Sequence, residues 1–514
     1  MKIFNLNTVL LFLLLILLTI PSISPFLKSG FIVTDDGGWM IIRLSAFYDT
    51  IRDGQIPARF IERLNFGYGY PVANFLYPGY LYLGSLIHLL GFTFIDSVKI
   101  LFSLSLVFSG IFSFLWLKRL FGNLDSFLGA IVYVYSPYHL YDVYKRGSLG
   151  EALSISILPL AFYGIEKAST ILIALSVFSI LLFHNTLAVF FLPLIPIYAL
   201  IRKSFIRSVP GIILGIAMSS FFTVPAIFEL KYTKFLQTAI SNPSEYFADV
   251  YLVGIVSIVT AVLALLLSFF IYRNELSKIP YKGLLTLFAV VFILSVFLST
   301  FLSSFIWNII NASFVQFPYR FLSLTIISVA FMSAYLSYIL FSKIKLTLFI
   351  IVVCLLSVFS YKYITEVEYE NYTDEYYSTN DATTTVHNEY MPIWVKSEPS
   401  MRPEKKAEVV MGDVVINNIF ESSNRVEIQT TVNSDSRIKL NTIYYPGWDV
   451  FVDGEKRNIS YDNEFGVMEV DLKQYDNKIS FVFKDDLIRT ISNTVSILSA
   501  LLLIYYISRP LVKF

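Results

Sequence analysis

Two adjacent carboxylates, Asp35 and Asp36, follow the first apolar run of the chain and are its strongest candidates for chemistry. Residues 7–27 are long enough to cross a bilayer, which takes about 20 apolar residues. The acidic pair therefore lies where the chain leaves the membrane, a place where carboxylates are costly and tend to be functional. There they could accept a proton from a hydroxyl group or hold a divalent cation. The structural alternative is a solvated loop.

Two arginines and a glutamate elsewhere in the chain could act on a phosphate group. Arg146 and Glu151 bracket a Gly-Ser-Leu-Gly turn at the end of a predicted helix. In one interpretation Arg146 neutralises phosphate charge and Glu151 orients this arginine. In the other interpretation they are a snorkelling arginine and a helix-N-terminal glutamate. Arg320 follows Pro318 at the end of a long apolar helix. It is either a clamp for a lipid-carried phosphate or an interfacial anchor.

The composition is that of a polytopic membrane protein. Of the 514 residues, 56% are hydrophobic and 15% are charged, against about 45–50% and about 25% in soluble domains. The single cysteine, Cys354, lies in an apolar run, and the four histidines lack metal-ligand spacing such as HExxH. These counts exclude a disulfide framework and a thiolate metal cluster. Nothing in the charge pattern points to nucleic-acid binding.

The distribution of lysine and arginine predicts the topology. After the first apolar run, further runs lie near residues 98–117, 124–142, 149–166, 170–184, 186–201, 209–228, 250–272, 284–302, 320–341, 346–361 and 488–508. If residues 72–91, broken by Pro78 and Gly79, do not cross, the dense basic clusters after the first loop share the cytoplasmic side with Lys2. This predicts about twelve spanning helices, a re-entrant or juxtamembrane segment at 72–91, a retained N-terminal anchor, and both termini in the cytoplasm.

A water-facing domain is predicted near the C-terminus. Residues 362–487 hold 24 of the 38 acidic residues but 13 of the 39 basic ones. Short alternating runs predict strands near residues 408–410, 414–416, 425–432, 437–440, 449–452, 466–470 and 478–483. Asp453-Gly454 is a hairpin-turn signal, and strands at this spacing favour a β-sandwich.

The predicted organisation therefore has three parts: a transmembrane domain at 1–361 with a first outer loop at 28–96, an extracytoplasmic β-rich domain at 362–487, and a final membrane helix with a cytoplasmic tail at 488–514. The topology also places the acidic pair, the turn 145–151, the aromatic loop 229–250 and residues 314–320 on the outer face. This convergence predicts an outward-facing site.

Several short motifs follow one another across most of the chain. They are residues 53–59 (DGQIPAR), 67–71 (GYGYP), 136–142 (SPYHLYD) with Arg146, Gly147 and Glu151, 317–320 (FPYR), 389–392 (EYMP), 444–448 (YYPGW) and 452–454 (VDG). Together with the acidic pair, their order and spacing resemble the GT-C superfamily of membrane glycosyltransferases. Within it, the chain is similar to the YfhO-like membrane proteins, also called 6-pyruvoyl-tetrahydropterin-synthase-related membrane proteins.

The resemblance implies a GT-C-like fold and a reaction. In GT-C enzymes an acid of the first outer loop is the catalytic base or a metal-site acid, a role that maps onto Asp35 or Asp36. Such enzymes take a sugar from a polyprenyl-phosphate carrier, and a later arginine, here Arg320 or Arg146, contacts the carrier phosphate. Many GT-C first loops carry histidine or glutamate near the acid. Here residues 37–39 are GGW, which leaves the use of a divalent cation open.

We therefore expect an inverting glycosyltransferase of the plasma membrane that transfers a sugar from a polyprenyl-phosphate-linked donor to an envelope glycan, lipid or protein. Asp35 and Asp36 would supply the base or hold a cation, Arg146 with Glu151 would organise the donor phosphate, and Arg320 would hold the carrier. A lipid or glycolipid transporter would instead show internal repeats and mid-bilayer charges. The third possibility is a non-catalytic envelope assembly factor on the same scaffold.

Overall fold

The computed structural model describes residues 6–237, 243–307, 309, 315–340 and 342–508, and most of them are helical. The α-helices are α1 (Leu6–Ile23), α2 (Gly37–Arg52), α3 (Gly79–Leu89), α4 (Phe94–Leu117), α5 (Asn123–Val134), α6 (Pro137–Tyr141), α7 (Leu149–Glu166), α8 (Thr170–Phe183), α9 (Asn185–Phe191), α10 (Leu194–Ile201), α11 (Phe205–Met218), α12 (Ser220–Glu229), α13 (Val250–Val253), α14 (Ile255–Tyr272), α15 (Lys282–Ser299), α16 (Ser304–Trp307), α17 (Leu322–Ile339), α18 (Ser342–Thr365), α19 (Asp374–Thr379) and α20 (Leu487–Ser508).

Among the described residues, seven helices are long and apolar enough to cross a membrane: Phe94–Leu117, Leu149–Glu166, Ile255–Tyr272, Lys282–Ser299, Pro318–Ile339, Ile344–Thr365 and Leu487–Ser508. The helix pair on either side of Ser219, which bends by 63°, raises the number to eight if it forms one span. Shorter apolar helices lie at Phe12–Leu27, Thr170–Phe183 and Asn185–Ile201. The predicted multi-pass membrane protein is confirmed. The number of about twelve spans and the placement of the termini stay predictions, and the basic residues Arg509 and Lys513 lie outside the described residues.

Two segments that bear on the site are shorter than a membrane span. Helix α3, within the predicted non-crossing segment 72–91, has 11 residues, or roughly 16 Å at 1.5 Å per residue, against a hydrocarbon core of about 30 Å. The predicted apolar run 124–142 contains α5, which ends at Val134. The chain resumes at Pro137, whose ring fits the first turn of a helix and not its interior. This break leads into a π-helical turn, Asp142–Arg146, that carries one of the candidate arginines.

Ten strands lie in the described part of the chain: β1 (Phe31–Ile32), β2 (Tyr369–Glu370), β3 (Ala407–Met411), β4 (Val414–Ser422), β5 (Arg425–Val432), β6 (Ser436–Ile443), β7 (Trp448–Val452), β8 (Glu455–Arg457), β9 (Val467–Leu472) and β10 (Lys478–Phe483). They form an antiparallel sheet in the order β4-β5-β10-β7-β8, a second sheet β3-β6-β9, and the small pair β1-β2. The β7–β8 hairpin turns at Asp453 and Gly454, whose φ angles of 48° and 88° suit a type I′ turn. The predicted C-terminal β-sheets are confirmed.

Buried apolar side chains join the β-sheets to segment 28–96. One cluster contains side chains from both regions, including Phe60 and Trp448, whose rings meet edge to face at 5.7 Å. Helix α2 is largely buried between other elements, and Arg43 on this helix is buried with it. The burial of its apolar side chains, among them Met40, Ile41 and Leu44, favours this position.

A buried polar network fixes the last helix against the rest. Arg489 on α20 binds both carboxylate oxygens of Glu229, at 2.8 and 2.6 Å. The same carboxylate accepts hydrogen bonds from Tyr445 at 2.7 Å and from Asn74 at 2.9 Å. Since the four residues come from α20, α12, the loop after β6 and segment 28–96, the network holds four parts of the chain in one arrangement.

Candidate functional site

A cavity of about 960 Å³ lies where α2, the turn after α6, the α8–α9 junction, α12 and the chain between α19 and β3 meet. Its volume is in the range of small-molecule sites. One part is charged, lined by Asp35, Asp36, Arg43, Arg146, Arg320 and Glu389. The other part is apolar, lined by Leu181, Val189, Leu192, Phe222 and Ile227. The cavity can therefore take a molecule with both a charged and an apolar end.

The acidic loop is held against the arginine-bearing turn by backbone hydrogen bonds. The Asp35 N–H donates to the Lys145 carbonyl at 3.0 Å, and the Asp36 N–H donates to the Arg146 carbonyl at 2.8 Å. Gly147, with φ of 65°, makes this approach possible, since a Cβ there would lie 2.2 Å from Thr34 Oγ1. Two sequence-distant candidates, the acidic pair and Arg146, are thus brought together by main-chain contacts.

The two aspartates differ in exposure and in partner. The Asp35 carboxylate lies 3.8 Å from Lys145 Nζ, with both side chains more than half exposed at 55% and 64%. The Asp36 carboxylate lies 3.8 Å from Arg146 Nη2 and is 32% exposed. Partial burial raises the pKa of the Asp35 carboxyl above its ordinary value; Lys145 opposes the rise and Asp36 adds to it. Each aspartate faces the cavity beside a cation.

Glu151 joins the two candidate arginines. One of its oxygens accepts from Arg146 Nη1 at 2.5 Å and from Arg320 Nε at 2.8 Å, and the other accepts from the Tyr138 hydroxyl at 3.1 Å. The Glu151 side chain is fully buried and lies behind the arginines rather than on the cavity wall. It therefore orients Arg146 and Arg320, while the part of these residues in binding a phosphate stays a prediction. The contact with Arg320 was not foreseen.

A histidine and an aspartate complete this cluster. His184 Nδ1 accepts the Leu187 N–H at 3.3 Å, which leaves the ring proton on Nε2. That nitrogen lies 3.5 Å from Glu151. Asp142 Oδ1 accepts from Arg146 Nη1 at 2.9 Å, so a second buried carboxylate pairs with this arginine.

Aromatic rings support both arginines. The guanidinium of Arg146 lies 5.4 Å from the ring centroids of Phe317 and Tyr319, and that of Arg320 lies 4.9 Å from Phe317. Such contacts are attractive and hold the planar guanidinium in a defined orientation. Glu151 lies between the two guanidinium groups and, together with the rings, fixes them in place beside the cavity.

Three cavity residues had no functional role in the sequence analysis. Glu389 is 8% exposed, and Gln316 Nε2 donates to its Oε2 at 3.0 Å. Gln316 Oε1 in turn accepts from Arg320 Nη1 at 2.7 Å. Burial raises the pKa of the Glu389 carboxyl to about 7, against the opposing charges of Arg43 and Arg320. Arg43, also buried, donates from Nη2 to the Thr384 carbonyl.

The sequence contained a partial signal for these residues. Glu389 opens the EYMP motif, and Gln316 directly precedes the FPYR motif. Arg43 is surrounded by apolar residues, which indicates burial but not its direction. Their meeting point depends on tertiary contacts such as the backbone bonds from Lys234 N to Met391 O and from Ile393 N to Tyr232 O, at 2.9 and 3.0 Å.

A divalent cation would have few protein ligands here. Within the described ranges, no group of three or more His, Cys, Asp or Glu side chains could hold a metal ion. Asp35 and Asp36 nevertheless fit a cation that is bound by one or two carboxylates and completes its shell with water and substrate phosphate, as Mg²⁺ does. Such an ion, when bound, would neutralise phosphate charge.

Comparison with known proteins finds distant likenesses. No protein-family model matches the chain. Over 243 residues the chain is 25% identical to an uncharacterized protein of Lactococcus lactis subsp. cremoris (strain MG1363), covering 43% of this chain and 40% of that protein. The structure is similar to mycobacterial arabinofuranosyltransferase AftD, with a TM-score of 0.45, 16% identity and coverage of 70% of this chain and 26% of AftD. For a mutant of AftD the values are 0.44, 13%, 69% and 27%.

This chain therefore spans less than half the length of each protein it matches here. With such coverage and identity, the resemblance to the YfhO-like and GT-C proteins stays a prediction.

Proposed function

We propose that this protein is a membrane glycosyltransferase of GT-C type, moving a sugar from a polyprenyl-phosphate-linked donor to a cell-envelope acceptor on the outer face of the plasma membrane. The observation that carries the proposal is the two-part cavity, in which a cluster of arginines and carboxylates adjoins an apolar wall. A lipid-linked phosphate sugar has the same division between a charged head and an apolar chain.

The apolar wall supports a donor that arrives from the bilayer. Val189 and Ile227, which line the cavity, are 54% and 74% exposed, and both belong to apolar helices. Exposed apolar side chains on such helices favour contact with lipid. A polyprenyl chain could lie along these residues while its phosphate reaches the arginines.

The charged part suits departure of the carrier phosphate. When the bond between the sugar and the phosphate oxygen breaks, negative charge develops on the leaving phosphate. Arg146 and Arg320, preoriented by Glu151 and the neighbouring rings, would stabilise that charge without reorganising. Asp35 and Asp36, at the rim, would act as the base or hold a cation.

The β-sheets between α19 and α20 would help select the acceptor, since the chain that leads into them forms one wall of the cavity. A transporter on the same scaffold would move the lipid-linked sugar without breaking its bond to phosphate. An assembly factor would need neither the acidic pair nor the arginines for chemistry.

The test compares cells with wild-type protein and with Asp35→Asn/Asp36→Asn at matched membrane levels. Mass spectrometry of envelope glycans and lipid-linked sugars should show that the variant loses one glycan and accumulates its lipid-linked donor. The control variant, Glu375→Gln/Glu404→Gln, removes two exposed carboxylates and should behave as wild type. An unchanged glycan profile from the folded aspartate variant would favour the assembly factor.

A further inference from the structure

We propose that Glu389 is the general base that takes the proton from the acceptor hydroxyl, with Gln316 as its positioning residue. The inference rests on the proposed function and deepens it. Asp35 and Asp36 had two possible roles, as the base or as ligands of a cation. The proposal gives the role of base to Glu389 and leaves the acidic pair to hold a cation at the phosphate end of the donor.

The four carboxylates that line the cavity in the described part of the chain differ in their surroundings. Asp35 and Glu245 are exposed, and Asp36 is partly exposed beside Arg146. Glu389 is the buried one, at 8% exposure. A carboxylate that is shielded from water and bonded to a neutral amide holds a proton more readily than one beside a cation, which is what a base working near neutral pH needs.

The amide of Gln316 gives Glu389 a defined place. An arginine can only donate, so the Gln316 atom that faces Arg320 Nη1 at 2.7 Å must be its oxygen. The amide NH₂ then faces Glu389 and donates to Oε2 at 3.0 Å. The chain of contacts runs from Glu151 through Arg320 and Gln316 to Glu389, so the group that would bind the phosphate also positions the group that would take the proton.

The Gln316 amide lies between Glu389 and Arg320, which places the base and the phosphate-binding arginine at different points of the cavity, as an inverting displacement requires. The acceptor O–H bond breaks and its proton passes to the Glu389 carboxylate. The acceptor oxygen forms a bond to the anomeric carbon while the bond from that carbon to the phosphate oxygen breaks. The electron pair of that bond leaves with the polyprenyl phosphate, facing Arg146 and Arg320.

Several charged or titratable groups face Glu389 and would set the pH at which it loses its proton. Arg43 on α2 and Arg320 before α17 favour the ionised carboxylate, whereas Asp36 disfavours it. On the segment that carries Glu389, the titratable side chains that line the cavity with it are His387 and Tyr390. The Tyr390 backbone N–H donates to the Tyr70 hydroxyl at 3.0 Å.

The experiment uses the full-length protein in lipid nanodiscs. Donors are radiolabelled polyprenyl-phosphate hexoses and pentoses, and the acceptor is envelope glycan isolated from a strain that lacks the protein. Transfer is measured from pH 5.5 to 8.5 for wild type, Glu389→Gln, Glu389→Asp and Gln316→Asn. Asparagine suits position 316, where φ is 61°, because it tolerates this conformation while its shorter amide breaks the bridge.

We expect wild-type transfer to rise with pH through about 7, where Glu389 becomes ionised. Glu389→Gln should lower kcat about 100-fold or more, with a smaller effect on KM, and should abolish this pH limb. Glu389→Asp should keep a rise of the transfer rate with pH, with the midpoint of that rise at a changed pH. Gln316→Asn should move the limb to higher pH, because the carboxylate loses a hydrogen bond that favours its charged form.

A wild-type profile that is flat across this range, or Glu389→Gln with the wild-type rate and limb, would overturn the assignment and leave the proposed function in place. Folded wild-type protein that transfers no sugar from any of these donors would instead refute the proposed function itself.

Discussion

Replacing Glu389 by glutamine is expected to stabilise the folded protein above pH 7 and to leave its stability unchanged near pH 4. Burial raises the pKa of this carboxyl from 4.5 to about 7 in the folded state. The folded protein therefore binds the proton more tightly than the unfolded chain does. This tighter proton binding by Glu389 stabilises the folded protein in full below pH 4.5, and the stabilisation is lost as the pH rises through about 7.

The size of the effect follows from the two pKa values. A shift from 4.5 to about 7 corresponds to about 3 kcal/mol of the free energy of unfolding, using about 1.4 kcal/mol per pKa unit. Glutamine has no proton to lose, and its carbonyl oxygen can still accept the hydrogen bond from Gln316. The variant should therefore gain most of this amount over wild type at pH 8. A residue that lowers stability in its working ionisation state is typical of functional sites.

The assay is thermal unfolding in detergent micelles, followed by intrinsic tryptophan fluorescence between pH 4.5 and 8.5. The quantity of interest is the difference in Tm between variant and wild type at each pH, because other titrating groups then cancel. Glu404→Gln, an exposed carboxylate on the same stretch before β3, is the matched control and should show a difference near zero throughout.

A Tm difference that stays constant from pH 4.5 to 8.5 would refute the reasoning, since it would mean that the carboxyl titrates alike in the folded and unfolded states. A variant less stable than wild type at pH 8 would refute it as well, because the ionised carboxylate would then be stabilising.

Two further substitutions test the rest of the site. Glu151→Gln removes the anion that two buried arginines share and should cost about 3–5 kcal/mol of unfolding free energy, seen as a lower Tm. Glu408→Gln removes the anion of a partly exposed pair and should cost about 1 kcal/mol or less. Equal losses would contradict the buried-cluster argument. Gly147→Ala and Gly454→Ala each place an alanine at a positive φ, which costs about 1–2 kcal/mol of stability. Only Gly147→Ala also brings a Cβ against Thr34. It should therefore lose more Tm and abolish transfer, and unimpaired transfer would show that the acidic loop does not need this contact.

Local pattern was sufficient to predict much of the fold. The long apolar runs predicted spanning helices because a lipid environment requires closed backbone hydrogen bonding and apolar side chains over about 20 residues. Alternation and the Asp453-Gly454 turn predicted strands because side chains of a strand point to opposite faces in turn. The break at Pro137, inside an apolar run, was missed because hydropathy does not register a helix that stops and restarts.

The amino-acid sequence by itself determined the class of protein, the order of its helices and sheets, and the candidate residues Arg146 and Arg320 as types suited to phosphate, with Glu151 as a partner for an arginine. Only the tertiary structure decided that one buried carboxylate unites the two arginines, and that Gln316 reaches Glu389 across 73 positions of the chain. The physical reason is that hydropathy and periodicity act over a few residues. Burial, ion pairing and the resulting pKa depend on which distant segments exclude water from the same place.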